Sequence, residues 1–243
     1  PPIFAPYDEN GNYSSLNPYP FIEKILHPVA LIRERTDIDN GYNFFGTTGL
    51  SFLLTDELKF EIKGGINYKD TRNDLFQTSK LNPGTKNSGL IENHNSLYWL
   101  FQSTINYDKE INNKNKISAL AGFTSEEQKD KYLQASGADF PNENTTNQSL
   151  QSATTIGIPQ SSTAQFRLLS YLGRINYSLL DRYLFTATGR YDGSSRLGPN
   201  KKYGFFPSFA VGWKLTEEDF IKELNVFSTL KLRTSWGVTG NTN

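Results

Sequence analysis

Three consecutive carboxylates, Glu217, Glu218 and Asp219, are the first place to look for acid–base chemistry. Glycoside hydrolysis needs two carboxyl groups held roughly 5–10 Å apart across a scissile bond. Consecutive residues on one turn, with no apparent partner acid, do not make that pair, and the run reads as a solvated turn. Glu126, Glu127 and Asp130 could open a calcium loop, but the EF-hand spacing and its central glycine are missing. Gly193-Ser194-Ser195-Arg196-Leu197-Gly198-Pro199-Asn200-Lys201-Lys202 has the glycines and cations of a phosphate cradle. Without the Gly-Lys-Ser/Thr ending and a following helix it reads as a hairpin loop. No Gly-x-Ser-x-Gly elbow accompanies the serines. His27 and His94 are isolated and read as ordinary loop residues rather than metal ligands. Zero cysteine removes disulfides, thiolate metal sites and thiol nucleophiles. No catalytic or metal-binding set emerges, no cofactor is implied, and the chain is not expected to be an enzyme.

Whatever the chain does must therefore come from its elements. Its 25 Lys+Arg cancel its 25 Asp+Glu, which argues against nucleic acid as a partner. It carries 17 Phe, 13 Tyr and 3 Trp, yet mean hydropathy is only −0.55. No apolar run approaches the ~18–20 residues of a membrane helix. There is no signal peptide, and the first residue is Pro1, so the sequence is expected to be a piece of something longer.

The dominant period is two. Residues 58–68 place Leu58, Phe60, Ile62, Ile66 and Tyr68 on one face and Lys59, Glu61, Lys63 and Asn67 on the other, as a strand does. The same alternation recurs near 44–54, 97–107, 117–125, 167–179, 182–192, 205–215 and 230–238. Short connections at 55–57, 108–115 and 180–181 alternate with long ones at 72–93, 126–164 and 193–204, and 216–229 should hold a short helical turn. Residues 1–40 are expected to be an irregular, extracellular loop leading into a β segment over 41–243, because six of eleven prolines fall in the first 28 positions. Soluble antiparallel sheets also alternate, but their strands average ~5–6 residues. Strands of about ten residues, short turns against long loops, and Tyr68, Tyr107, Tyr177, Tyr183, Tyr191 and Trp213 near strand ends fit a transmembrane antiparallel β-barrel segment. On that reading Lys59, Glu61, Lys63, Arg174, Lys214, Arg190, Asp192 and Arg233 face the lumen.

Residues 166–240 carry a more specific signal. Gly173-Arg174-Ile175-Asn176-Tyr177-Ser178 precedes Asp181-Arg182-Tyr183-Leu184-Phe185-Thr186. Arg190-Tyr191-Asp192-Gly193-Ser194-Ser195-Arg196 leads to Tyr203-Gly204-Phe205-Phe206-Pro207-Ser208. Gly212-Trp213-Lys214-Leu215-Thr216-Glu217-Glu218-Asp219-Phe220 leads to Ser235-Trp236-Gly237-Val238-Thr239-Gly240-Asn241. In order and spacing these pieces resemble the SusC/RagA family of TonB-linked outer-membrane transporters. The first 165 residues match only loosely, through Asn17-Pro18 and the strand pair over 44–68.

The resemblance implies a plugged barrel of about 22 strands, of which this chain supplies about eight. It implies localisation in the outer membrane of a Gram-negative bacterium and contact with outer-membrane lipid. It also implies uptake of oligosaccharides or peptides driven through the TonB complex, which would engage an N-terminal region absent here, and a SusD-like surface lipoprotein as a lid. A siderophore or vitamin receptor without that lid, or an adhesin barrel without a plug, are the alternatives. Arg174, Arg190, Asp192 and Arg233 are the candidate ligand contacts on the polar face. Arg190, Tyr191, Asp192, Gly193, Ser194, Ser195, Arg196, Pro207, Trp213, Trp236 and Gly237 form the structural signature, and an architectural network is the preferred role for Arg190, Asp192 and Arg196. The loop aromatics Tyr7, Tyr13, Tyr19, Phe76 and Tyr132 are too scattered to choose carbohydrate over peptide.

Overall fold

The computed structural model describes residues 5–14, 26–81, 84–198 and 202–240. Asn17, Pro18, Tyr19, Pro199, Asn200, Lys201 and Asn241, all singled out above, lie outside the described residues. The elements are helix α1 (Pro28–Glu34), strands β1 (Arg35–Leu53), β2 (Leu58–Gln77), β3 (Ser88–Asn112), β4 (Asn115–Ala138), β5 (Thr155–Ile156), β6 (Gln160–Leu179), β7 (Tyr183–Ser194) and β8 (Tyr203–Lys214), helix α2 (Asp219–Lys222), and strand β9 (Lys231–Gly237). They form one antiparallel sheet in the order β1-β2-β3-β4-β6-β7-β8-β9, with the two-residue β5 on β4.

Eight strands stand where alternation marks them, seven of them twelve residues or longer and β9 only seven, and several run well past the alternation. β3 has 25 residues and β4 has 24, against the expected ten or so. Much of the expected loops 72–93 and 126–164 is therefore ladder, because β2 continues to Gln77 and β4 to Ala138. The physical reason lies in the period. Backbone pairing needs no apolar face, so a strand wetted on both sides, such as Glu126-Glu127-Gln128-Lys129-Asp130-Lys131, keeps its hydrogen bonds and loses its alternation. Residues 1–40 likewise include α1 and the start of β1. His27 caps that helix, its Nδ1 accepting the Val29 N–H at 3.1 Å. His94 sits on β3 with its ring 4.6 Å from that of Tyr132, so neither histidine is a plain loop residue.

The chain divides into two compact units: Pro1–Asn43, Tyr68–Ser96 and Asp130–Ala164 in the first, and Phe44–Asn67, Leu97–Lys129 and Gln165–Asn243 in the second. The first holds a small core in which Phe76 meets Phe140 edge-on at 5.6 Å, with Ala153 and Leu150 alongside. Asn87 closes it, donating to the Phe140 carbonyl and accepting from its N–H. Phe76 is thus a core residue, not a loop aromatic.

The second unit is two-faced. The β6–β7 register pairs Ile175 with Ala187 and Tyr171 with Tyr191, and β7–β8 pairs Ala187 with Phe209. β8–β9 then pairs Phe209 with Trp236. Directly paired residues share a face, so the apolar sets of four strands stand on one side. Ring contacts extend that alignment: Phe52–Phe60, Phe101–Phe123, Phe123–Tyr171, Tyr177–Phe185 and Tyr183–Trp213 all lie within 6.3 Å between centroids. These side chains are uncovered, with Trp236 61%, Phe205 60% and Phe209 55% exposed. Water would penalise such a contiguous face, whereas hydrocarbon would not. Ten residues separate Tyr203 from Trp213 on β8, which at ~3.4 Å per residue and ~40° tilt span about 26 Å, the height of an outer-membrane apolar band.

Short connections lock to their neighbours at one end of these strands. Asp108 N–H donates to Glu57 O at 2.8 Å, Leu180 N–H to Lys114 O at 2.6 Å, and Lys214 N–H to Arg182 O at 2.8 Å. Asn112 Oδ1 closes the 113–114 turn by accepting from Lys114 N–H and Asn115 Nδ2.

Candidate functional site

The face opposite the apolar one collects the polar candidates. Ser170, Arg174 and Asn176 of β6 share it with Thr186, Thr188, Arg190 and Asp192 of β7, and with Ser208 of β8 and Ser235 of β9. Arg174, Thr186, Thr188, Arg190, Asp192, Ser208 and Ser235 line a groove of about 760 Å³. Arg190 donates from Nε to both carboxylate oxygens of Asp192, at 2.7 and 2.8 Å, and from Nη2 to Ser170 Oγ at 3.2 Å. Ser170 is the register partner of Asp192, so this set straps β7 to β6. Arg174 reaches the Oγ1 of Thr188, its register partner, at 3.4 Å. Arg233 stands across from Gly212 and lines a smaller, adjoining groove of about 440 Å³ with Leu184 and Lys231, which does not include Arg190 or Asp192. The four candidates therefore do not converge on one point.

The rest of the signature is architectural in its contacts. Ser195 donates its N–H to Arg167 O at 2.9 Å, and its Oγ accepts the Arg167 N–H at 2.9 Å. The hydroxyl thus takes the place of a carbonyl where the β6–β7 ladder ends. Arg167 Nε continues to Glu127 Oε2 at 2.8 Å, and Gln165 also donates to Glu127. Ser194 is almost fully buried, and the Arg196 guanidinium lies 4.3 Å from the centre of the Phe166 ring. At Gly193 a Cβ would stand 2.3 Å from the Tyr203 ring, so only glycine lets that ring lie flat on Tyr191, 5.2 Å away and 11° from parallel. A Cβ at Gly237 would stand 2.9 Å from that of its register partner Ser208. Pro207 occupies an interior strand, usually forbidden to proline. Its carbonyl accepts from Val238 N–H, so its missing donor points to the β9 side beyond Gly237, where the ladder stops, and not into the β7 pairing.

One of the acid sets behaves differently from expectation. Glu218 is not a solvated turn residue: its Oε1 accepts from Tyr183 Oη at 2.8 Å and from Trp213 Nε1 at 2.9 Å, and its Oε2 from Arg182 at 2.9 Å. Donation from Trp213 first, then from Tyr183, and the Arg182 charge hold its carboxyl below the usual carboxylate range. Glu217 pairs instead with Lys222. Glu126 accepts from Tyr98 and Glu127 from Arg167, so these adjacent acids serve opposite sides of β4 and do not gather. Among the described residues no group of three metal-ligating side chains comes together.

One polar cluster escapes the sequence altogether. Tyr7 and Tyr13, scattered as loop aromatics, bridge to each other and bring their rings to 5.3 Å. Arg33 Nη1 donates to Tyr7 Oη at 2.7 Å, Tyr13 Oη to Glu34 Oε1 at 2.6 Å, and Thr78 Oγ1 to Glu34 Oε2 at 2.6 Å. Burial pushes Glu34 up, but the Thr78 and Tyr13 hydrogen bonds and nearby Lys80 and Arg33 outweigh it and keep the group ionised. The Tyr13 phenol, donating to that carboxylate, is pushed up to about 12. Periodicity could not reveal this set, because its members lie far apart in sequence on a hairpin, a helix end and a strand end.

Residues 4–242 match the family model described as TonB dependent receptor-like, beta-barrel. The chain is 28% identical over 244 residues to TonB-dependent receptor P26 of Formosa agariphila, covering 97% of this chain and 24% of that protein. It is 60% identical over 76 residues to TonB-dependent receptor SusC of Bacteroides thetaiotaomicron, 31% of this chain and 8% of that protein. Among solved structures the RagAB peptide transporter superposes with a TM-score of 0.87 over 98% of this chain and 27% of that one, at 20% identity. The chain thus spans about a quarter of the length of P26 and of the RagAB chain it matches.

Proposed function

The chain belongs to the TonB-dependent receptor-like β-barrel family, and from that premise we propose that it is a wall segment of an outer-membrane importer of oligosaccharides or peptides. In the full-length protein the apolar face meets lipid and the polar face lines a plugged lumen of about 22 strands. A SusD-like lipoprotein covers the outer mouth, and the TonB complex engages a region outside this segment. Cargo binds among the outer loops and the plug top, and TonB-driven movement of the plug opens the lumen. The segment contributes scaffold and outer-loop contacts, with Arg174, Arg190, Asp192 and Arg233 on the lumen side. Arg190 and Asp192, already satisfied by each other and by Ser170, serve as a strap between strands. No step of this mechanism asks the segment to make or break a covalent bond.

The observation that carries this reading is the 60% identity to SusC over 76 residues, far above the level of the chain-long matches. The test is gentle purification of the full-length protein from its outer membrane, followed by mass spectrometry of what accompanies it. A stoichiometric lipoprotein with a retained oligosaccharide or peptide is expected. A lone barrel carrying an iron chelate or a cobalamin would replace the lidded importer with a siderophore or vitamin receptor.

A further inference from the structure

We propose that residues 219–227, between β8 and β9, form a foot that lies in the lipid leaflet at the short-turn end of the wall, with Phe220, Leu224, Val226 and Phe227 dipped below the headgroups. The other connections at this end are the tight turns 54–57, 113–114 and 180–182, whereas this one runs over 215–230.

The foot is a built element. Thr216 N–H donates to Leu230 O at 3.2 Å and closes its base. Glu218 O accepts from the N–H groups of Ile221 and Lys222, both at 3.0 Å, and Asp219 O accepts from that of Glu223 at 3.0 Å. Asn225, at φ 48°, ends the turn in the left-handed conformation that asparagine tolerates, its N–H on Lys222 O at 3.1 Å. Phe220 and Leu224 stand four residues apart and share one face of this turn, while Asp219 and Glu223 share another. Val226 and Phe227 follow directly.

Glu218 sets the side on which the foot hangs. Tyr183, Trp213 and Leu232 are register partners in one row of the apolar face. Glu218 accepts from Tyr183 Oη at 2.8 Å and from Trp213 Nε1 at 2.9 Å, so the foot springs from the apolar side and not from the polar one. Such rings sit at headgroup level in membrane barrels. An apolar stripe tethered beside them lies where an interfacial turn buries its apolar face. Phe220, Leu224, Val226 and Phe227 are between 50% and 74% exposed, a patch that water would penalise and that continues the lipid-facing row. The free edge of β9, where a larger wall would continue, lies on the side away from Tyr183 and Arg182, to which Glu218 reaches. Lys222 is held by Glu217 at 3.1 Å, and Asp219 and Glu223 add negative charge. The hold is therefore apolar and does not need an anionic lipid.

The inference rests on the reading of the apolar face as lipid-facing, and one experiment separates the two. The full-length protein, free of cysteine, is given a single nitroxide label at Leu224→Cys, Phe227→Cys, Glu223→Cys or Phe209→Cys and reconstituted into phosphatidylcholine vesicles. Heat-modifiable mobility on gels checks assembly, and Val226→Cys replaces any foot variant that does not assemble. Electron paramagnetic resonance then measures access to oxygen, which enters lipid, and to a water-soluble nickel chelate, which does not. Labels at 224 and 227 are expected to favour oxygen, at ~5–10 Å into the headgroup–acyl boundary. The label at 223 is expected to favour nickel. Nickel access at 224 and 227 equal to that at 223 would leave the segment in water and overturn the proposal. Low access to both reagents would overturn it too, because another part of the protein would then cover the patch. Either result with an oxygen-rich label at 209 sinks the foot alone, and a nickel-accessible label at 209 sinks the lipid-facing reading itself.

Discussion

At the residue scale, Glu218 shows how a turn acid becomes a fastener. It collects donors from Tyr183 and Trp213, the two stacked rings at the short-turn end of β7 and β8, and from Arg182, next to Tyr183 in sequence. Its folded pKa lies below the unfolded value, so its contribution is complete above roughly pH 4.5 and is lost as pH falls through the lowered value. Glu218→Gln should lower the temperature at which the full-length barrel loses its folded mobility on gels and should shift Trp213 emission. The wild type should converge on the variant as the acid protonates, and a constant gap down to pH 3 would count against the assignment. Leu180 makes a second test. It holds φ 56° and Asp181 holds φ 54° in the turn after β6, a left-handed region that costs a branched side chain ~1–2 kcal/mol. Leu180→Gly removes that cost and adds ~0.4–1 kcal/mol of unfolded-chain entropy, so a neutral change or a gain of up to about 1 kcal/mol is expected in urea titration. A clear loss would show that the Leu180 side chain contributes packing that outweighs the strain.

At the element scale, the sheet turns alternation into two solvents. The row Ile175–Ala187–Phe209–Trp236 lies midway between the Tyr183–Trp213 and Tyr191–Tyr203 rings. Phe209→Arg places a charge at the centre of the apolar band and should cost ~2–4 kcal/mol, read as lost heat-modifiable barrel in the membrane fraction. Ser208→Ala, one residue away on the polar face, should leave assembly unchanged. Equal tolerance of both would reverse the face assignment. The eight alternating strands, their faces and the alternation of turns were legible because lipid demands a strict period wherever it touches the chain. The ladder beyond that band was not, since Lys129 and Lys131 on β4 obey no solvent-imposed pattern. Candidate contacts fared unevenly for a related reason. The shared face of Arg190 and Asp192 follows from spacing, and their strap to Ser170 does not, because cross-strand register is invisible without the partner strand. The Tyr7–Arg33–Glu34–Thr78 cluster was hidden entirely, since no period links its members.

At the scale of the molecule, the sheet path ends at β1 on one side and β9 on the other. A ladder edge in hydrocarbon leaves backbone N–H and C=O groups unpaired, at several kcal/mol each, and water cannot relieve them. The apolar face does not help, because lipid solvates side chains as well as it would in a closed barrel but offers an edge nothing. Charges guard only part of each edge: β9 carries Lys231 and Arg233 but also Trp236 and Leu232 at 61% exposure each, and β1, beyond Arg35, Asp37 and Asp39, carries Phe44 and Phe45 at 60% and 70%. The 243-residue segment refolded by itself in detergent should therefore associate through these edges. Its apparent mass in analytical ultracentrifugation should rise with concentration, and protease should clip β9 before the central strands β6 to β8. The same segment within the full-length relative-sized protein should be monomer-like in its wall and resistant at both strands. A discrete, concentration-independent and protease-resistant species from the segment alone would mean that these strands find closure among themselves, and the barrel would then be smaller than the family reading requires.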